Sequence, residues 1–202
     1  MRFISHLDLM RAFERALRRS GLPLQMSEGF NPRPRMSFPA PLGVGIEGSD
    51  EAMEFDLSSS VPLREVRERV EKALPAEIEL KSIETLAPGK PTQVSEMAYV
   101  VAPAAPDTTQ ACIAPEQVRE LTSREEIPVE RTRKGRRKVV DVRPYLLGAD
   151  AAGGVLTLRV KAGPSGSTRP EEILEAMGFP PERIPVLFRM KRTRVVLSTP
   201  RG

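Results

Sequence analysis

The sequence predicts an α+β protein made of two similar halves, and three observations support this. The chain has 202 residues, a length that allows one large domain or two small ones. A Pro/Gly-rich stretch, 87–92, divides it. The expected order is helix, strand, strand, helix, strand before that stretch, and strand, helix, strands, helix, strand after it. This order approximates βαββαβ twice, so we expect two tandem ferredoxin-like halves with antiparallel sheets, the first strand of the first half being missing.

The clearest element of the first half is a helix from about Ser5 to Arg19. Ser5 is a favourable N-cap residue, and Gly21 supplies a stop just beyond the C-terminus. Apolar side chains recur at helical spacing, at Leu9, Met10, Phe13, Ala16 and Leu17. This spacing predicts an amphipathic helix with one apolar stripe.

The rest of the first half, which we place at residues 1–87, contains strands and a second helix. Two X-Pro steps hold the segment 29–35 extended and rigid. A Pro/Gly-rich turn is expected at 39–48. The second helix spans about 62–74, and the strands lie near 22–27, 35–38, 52–57 and 77–86.

The second half follows a linker at 88–95 and occupies residues 96–202. Two strands, 127–132 and 138–142, flank the Lys134-Gly135 turn and predict a basic hairpin. Helices are expected at 115–123 and 170–177, and further strands near 97–102, 155–160 and 186–197.

Composition excludes several classes of protein. One cysteine, Cys112, and one histidine, His6, cannot build a disulfide framework, a zinc ribbon, an iron–sulfur cluster or a multi-histidine metal site. No stretch approaches the roughly 18 uninterrupted apolar residues of a membrane helix, and the N-terminus lacks a signal-peptide pattern. We therefore expect a cytoplasmic protein without a membrane partner, and without a metal or cofactor held by this chain.

The charge pattern favours a polyanionic partner. The net charge is +4, with the positive excess in residues 1–40 and 92–202 and an acidic balance in 41–91. Arginine outnumbers lysine in the basic parts, and its planar guanidinium suits bidentate contacts with phosphate. Nucleic acid is therefore a reasonable partner class, although an ordinary solvated surface would give the same balance.

The candidate nucleic-acid-binding residues fall in five groups: the exposed stripe of the first helix, the proline-stiffened segment 31–35, the basic hairpin, the start of the last helix, and the last strand. They are Arg11, Arg15 and Arg18; Asn31, Arg33 and Arg35; Arg131, Arg133, Lys134, Arg136 and Arg137; Arg169; and Arg192. Each also has a purely structural interpretation, as solvated surface, turn former or edge-strand charge.

His6 is the one candidate for a catalytic role. It would follow the Ser5 cap, where the helix dipole disfavours an imidazolium ion. A neutral imidazole there could activate an RNA 2′-hydroxyl as a general base, or could simply pack against or cap the helix start. No second acid–base partner is evident, so a structural role for His6 is favoured over RNA contact and over catalysis.

The first 57 residues carry a dense family resemblance, with looser matches later. The motifs are Phe3-Ile4-Ser5-His6, Glu28-Gly29-Phe30-Asn31-Pro32-Arg33-Pro34-Arg35, Pro41-Leu42-Gly43-Val44-Gly45, Asp141-Val142-Arg143-Pro144 and Arg169-Pro170-Glu171-Glu172. They resemble the radical SAM-linked protein family, a bacterial domain of unknown function found beside or fused to B12-binding-type radical SAM proteins. Relatives usually begin with a strand before Phe3, and many have His at the position of Arg33.

The resemblance and the charge pattern together imply an accessory module that binds RNA for a partner radical SAM enzyme, in trans or as a fusion. The partner must supply the radical chemistry, since that chemistry needs a three-cysteine cluster motif and this chain has only Cys112. The expected fold is also similar to the RAMP superfamily of RNA endonucleases and RNA-binding subunits, a likeness of fold alone. The alternatives are a metal-independent endoribonuclease of that fold using His6, and a pure protein-interaction subunit.

Overall fold

The computed structural model describes residues 6–86, 92–105, 111–133, 135–163 and 166–198. The chain divides into two compact units. Unit 1 comprises Met1–Val44 and Ala52–Pro91, and unit 2 comprises Gly45–Glu51 and Thr92–Gly202. Both units combine helices with antiparallel or mixed sheets, which confirms the expected α+β class.

The described residues contain five α-helices, ten strands and a short 3-10 helix at Arg143–Tyr145. The helices are α1 (His6–Arg19), α2 (Leu63–Ala73), α3 (Pro115–Ser123), α4 (Pro170–Ala176) and α5 (Ile184–Leu187). The strands are β1 (Met36–Ser37), β2 (Ile46–Gly48), β3 (Glu54–Phe55), β4 (Gln93–Pro103), β5 (Pro128–Arg133), β6 (Arg136–Asp141), β7 (Leu146–Ala152), β8 (Val155–Gly163), β9 (Gly166–Ser167) and β10 (Phe188–Ser198).

The core of unit 1 forms where α1 packs against α2. Its buried side chains are Leu17, Leu22, Val66 and Val70. A hydrogen bond joins the ends of α1 and α2: Nη2 of Arg19 donates to the carbonyl of Ala73 at 2.8 Å. Both helices are confirmed close to their expected bounds, as apolar spacing is a strong signal for amphipathic helices.

The strands of unit 1 are shorter than expected. β1 and β3 pair antiparallel over two residues each. The segment 22–27 contributes only isolated bridges, of which one joins Met26 to Pro34. Residues 77–86 form no strand, because no described segment pairs with them. The tandem ferredoxin-like arrangement therefore stays a prediction.

The main sheet belongs to unit 2 and has the strand order β2-β10-β4-β8-β7, with β9 attached to β8. β10, β4, β8 and β7 pair antiparallel, whereas β2 joins β10 in parallel. Along β8, Leu156, Leu158 and Val160 are buried while Thr157 and Arg159 are exposed. One face of the sheet therefore lies in the core of unit 2 and the other is open.

Three strands of this sheet, β2, β7 and the two-residue β9, are not predicted by the sequence pattern. β2 lies inside the expected Pro/Gly-rich turn, yet Ile46 is buried and pairs with Met190 of β10. β7 is rich in Gly and Ala, which hide its alternation. The expected linker 88–95 is described only from residue 92, and β4 already begins at Gln93. The last strand starts at Phe188, because α5 occupies the preceding residues.

Candidate nucleic-acid interface

Helix α1 carries three of the predicted arginines on its exposed side. Arg11 and Arg15 are exposed at the surface of unit 1. Arg18 is hydrogen-bonded: its Nη2 donates to Glu14 Oε1 at 3.1 Å and to the backbone carbonyl of Pro32 at 2.7 Å. Arg18 therefore tethers α1 to the segment 27–35, which we call the 27–35 loop.

The 27–35 loop is closed by hydrogen bonds at its neck. The N–H of Ser27 donates to the carbonyl of Arg33 at 2.7 Å, and the N–H of Arg33 donates back to Ser27 Oγ at 3.0 Å. The Arg18 tether holds Pro32, beside this neck. A loop held at the neck and on one side loses little conformational freedom on binding, as a preorganised recognition element requires.

Arg33 and Arg35 leave the 27–35 loop on the same side. Both are exposed and Pro34 between them is buried, as alternation along extended backbone dictates. The N–H of Arg35 donates to the carbonyl of Gln25 at 2.8 Å and keeps this stretch extended. The two Cα atoms are then about 6.7 Å apart. Within the described residues neither guanidinium has a hydrogen-bond or ion-pair partner, so both are available to an anion.

Phe30 occupies the tip of the same loop. Its relative exposure is 107 %, so the whole ring faces solvent. Gly29 before it has a φ of 120°, and Asn31 after it is also exposed. Apolar spacing does not reveal Phe30 as a functional candidate. The available signal is an apolar residue inside a Gly-Phe-Asn-Pro turn, where a burial site is not expected.

The predicted basic hairpin is confirmed as β5 and β6 of unit 2. The exposed basic side chains of β6 are Arg136, Arg137 and Lys138. Arg137 Nε lies 3.3 Å from Glu130 Oε1, in an exposed ion pair that contributes little to stability. Lys134 and the side chain of Arg133 lie outside the described residues. β6 therefore presents a basic strip at the surface of unit 2.

Arg131 has a structural place in the hairpin. Its Nε and Nη2 contact the two carboxylate oxygens of Glu172 at 2.7 and 2.8 Å, and Nη2 also donates to the carbonyl of Ser167 at 2.6 Å. Glu172 accepts further bonds from Thr168 Oγ1 at 3.0 Å and from Arg169 Nη2 at 3.1 Å. The cluster ties β5 to the start of α4.

The carboxyl of Glu172 is held in its charged form by this cluster. Burial on its own raises the pKa of Glu172, but the hydrogen bonds from Arg131 and the Arg169 N–H, with the charges of both arginines, bring it below its ordinary value. The side chain of Arg169 is still 69 % exposed, so part of its guanidinium faces solvent. Arg169 can contact a ligand, whereas Arg131 mainly stabilises the fold.

Arg192 lies inside unit 2 and not on its surface. Only 2 % of the residue is exposed, and its Nε and Nη2 donate to the two oxygens of Glu51, the first at 2.9 Å. Glu51 reaches it because Gly48 has no side chain: a Cβ there would lie 2.5 Å from Glu51 Oε1. The guanidinium thus joins the segment 45–51 to β10.

The open face of the unit 2 sheet contains a shallow depression of about 340 Å³. Its floor includes the small residues Ala98 and Gly148, and Asp150 and Arg159 also line it. Arg159 Nε donates to Glu96 Oε1 at 2.8 Å, and this hydrogen bond lowers the pKa of Glu96. The carboxylates of Asp150 and Glu96 offset the positive charge of Arg159, so the depression is not a basic site.

The remaining chemistry of the described residues is limited. His6 is the first residue of α1, but its side chain lies outside the described part, so its role as base or cap stays a prediction. No group of three or more His, Cys, Asp or Glu among the described residues is placed to hold a metal ion. No helix in the described ranges is long and apolar enough to cross a membrane.

Comparison with known proteins shows the family of the chain. Residues 1–170 match a family of uncharacterised proteins conserved in bacteria, DUF2344. The chain belongs to this family. The DUF2344 match includes the 27–35 loop and the basic hairpin, and it ends at the first residue of α4. No curated protein and no solved structure shows significant similarity to the chain.

Proposed function

We propose that this DUF2344 protein is a cytoplasmic accessory module that binds RNA and delivers it to a partner enzyme. The observation that carries the proposal is the 27–35 loop, which holds Arg33 and Arg35 exposed and on the same side, with no partner for either guanidinium among the residues that the structure describes. Two guanidinium groups at this spacing can contact successive phosphates of one strand. Because the loop is already closed and tethered, little ordering is needed when a strand binds.

The two units contribute differently to this proposal. In unit 1 the cationic groups that we assign to RNA binding lie on the 27–35 loop and on the exposed side of α1. In unit 2 the basic strip of β6 supplies sequence-independent contacts, which dominate non-specific nucleic-acid binding. The strand order β10-β4-β8-β7 has the connections of a βαββαβ unit and supports a ferredoxin-like second half, with the hairpin inserted after α3.

The partner in this proposal is the radical SAM enzyme that the sequence resemblance implies. The chain has one cysteine, so a partner must hold the cluster and perform any radical step on the bound RNA. The chain itself would position the RNA strand through contacts with its phosphates, and contacts with the bases would add to the affinity.

The test compares the variant Arg33→Ala/Arg35→Ala with the control Arg64→Ala/Lys72→Ala. The control removes the same charge from exposed positions of α2 in the same unit. Affinity for a single-stranded RNA is measured by fluorescence anisotropy across a KCl series. We expect the loop variant to bind RNA more weakly than the wild type. Its plot of log affinity against log salt should be less steep by about 1.4, because two phosphate contacts are gone. Equal losses in both variants would show that the loop has no special role.

A further inference from the structure

Phe30 is the most exposed large apolar side chain among the described residues. Its relative exposure of 107 % exceeds the 75 % of Val44, the next in the set. An aromatic ring in water leaves a large apolar surface that a ligand can cover. The feature is independent of the arginine pair that carries the proposed function.

The backbone on both sides of Phe30 is held by hydrogen bonds. The neck bonds between Ser27 and Arg33 close the loop three residues on either side of Phe30. On the far side the carbonyl of Pro32 is held by Arg18 at 2.7 Å. No heavy atom lies within 4 Å of the position of a Cβ on Gly29, so the tip stands clear of the rest of the described chain.

The surroundings of Phe30 favour a nucleic-acid base over an apolar protein surface. Its exposed neighbours in the chain are Glu28, Gly29, Asn31 and Pro32, and of these four Pro32 alone has an apolar side chain. Protein docking sites are usually contiguous apolar patches with polar rims. A single ring in the same loop as two arginines that have no partner within the described residues matches the combination of stacking and phosphate contacts that single strands use.

We propose that Phe30 stacks on an unpaired base of the RNA strand whose phosphates contact Arg33 and Arg35, so that the chain selects single-stranded RNA over duplex. This inference rests on the proposed function. In a duplex the faces of the bases are covered by their neighbours, and the ring has no surface to stack on. The phosphates of a duplex still attract the arginines, so Phe30 sets the preference for strandedness and the arginines set the general affinity.

The experiment uses the full chain and three forms of residue 30. Phe30→Leu keeps an apolar side chain but removes the aromatic face, and Phe30→Trp enlarges that face. The probes are an oligouridylate and a two-strand RNA duplex without loops or overhangs, of equal phosphate number, and binding is measured by anisotropy. We expect Phe30→Leu to weaken oligouridylate binding on the order of tenfold and to leave duplex binding and the salt slope unchanged. We expect Phe30→Trp, which keeps an aromatic face, to bind oligouridylate at least as tightly as the wild type.

A second readout locates the contact directly. Ultraviolet irradiation of the wild-type complex with oligouridylate, followed by mass spectrometry of the digested protein, is expected to give a crosslink at Phe30. All three proteins should show the same melting temperature, because the ring makes no buried contact in the described structure.

The outcomes separate this inference from the function on which it rests. If Phe30→Leu binds oligouridylate like the wild type while Arg33→Ala/Arg35→Ala still weakens it, RNA binding stands and stacking is refuted. Equal weakening of single-stranded and duplex binding also overturns the inference, since Phe30 would then only shape the loop. If Phe30→Leu keeps its RNA affinity but no longer binds a protein that the wild type binds, the ring is a protein contact. No RNA binding by the wild type would refute both proposals.

Discussion

Arg33 and Arg192 illustrate how surroundings decide the role of a guanidinium group. Arg33 is exposed and unpaired in the described structure, whereas Arg192 is 2 % exposed and bonded to both oxygens of Glu51. A buried charge is tolerated only with a matching partner. The first arginine is therefore available for binding, and the second belongs to the packing of unit 2.

Removal of the Glu51 carboxylate is expected to destabilise unit 2. Glu51→Ala leaves Arg192 charged and buried without its partner, which costs about 3 kcal/mol. Glu47→Ala, in the same segment, serves as the control. Chemical denaturation followed by circular dichroism measures both variants, and similar midpoints for the two would contradict the buried-pair interpretation.

The Glu172 cluster predicts a loss of stability in acid. The folded-state pKa of Glu172 lies below its ordinary value, so its contribution is fully present above about pH 4.3, the unfolded value. It disappears as the pH falls through the lower folded-state pKa. Glu172→Gln should therefore be less stable than the wild type at pH 7, and the difference should shrink toward pH 3.

The matched control for this pH series is Glu182→Gln, at an exposed position of unit 2. Thermal unfolding of all three proteins is recorded between pH 3 and pH 7, a window around the ordinary carboxyl pKa. A wild-type advantage over Glu172→Gln that stays constant with pH would mean that the carboxylate charge is not what stabilises the cluster.

At the scale of elements, the 27–35 loop depends on α1 for its position. Arg18 spans from Glu14, one turn earlier in the helix, to the carbonyl of Pro32. An exposed ion pair within a helix contributes only a few tenths of a kcal/mol. The bond to the loop is the more consequential one, because it joins two elements distant in sequence.

The variant Arg18→Ala is expected to loosen the loop without removing its phosphate contacts. RNA affinity should fall several-fold because more ordering is needed on binding. The salt slope should stay near the wild-type value, since Arg33 and Arg35 remain. Hydrogen exchange at the N–H of Arg33, which donates to Ser27 Oγ, should accelerate. A reduced slope with unchanged exchange would identify Arg18 as a phosphate contact instead.

At the scale of the whole molecule, exposed basic groups occur in both compact units. Arg33 and Arg35 belong to unit 1, and the β6 strip, with Arg136 and Lys138, belongs to unit 2. A ligand long enough to engage both units gains affinity through effective concentration, whereas a short ligand engages one at a time.

This arrangement predicts different responses for long and short RNA. On a long single strand, Arg136→Ala/Lys138→Ala and Arg33→Ala/Arg35→Ala should each weaken binding, and their combination should weaken it more than either alone. On a short oligonucleotide that contacts only the 27–35 loop, the β6 variant should have the same affinity as the wild type. Anisotropy titrations with RNAs of graded length measure the effect, and a β6 variant that never differs from the wild type contradicts it.

The elements that depend on local residue spacing could be predicted from the sequence. Apolar periodicity predicts α1, α2 and α3, and basic strands around a Gly turn predict the β5–β6 hairpin. Two X-Pro steps identify the stiffness of the segment around Arg33. β2 escaped prediction because three residues in a Pro/Gly-rich turn carry no periodicity, and they form a strand only through pairing with β10.

The sequence by itself determined helices α1 to α4, the hairpin, and the arginine-rich and proline-stiffened loop, because these depend on spacing, turn residues and charge within a few positions. Only the tertiary structure decided which charged groups stay at the surface. Arg192 pairs with a carboxylate 141 positions away, and Arg131 with one 41 positions away. Such partners are set by the approach of distant segments, and the exposure of Phe30 is likewise settled by what the folded chain leaves uncovered.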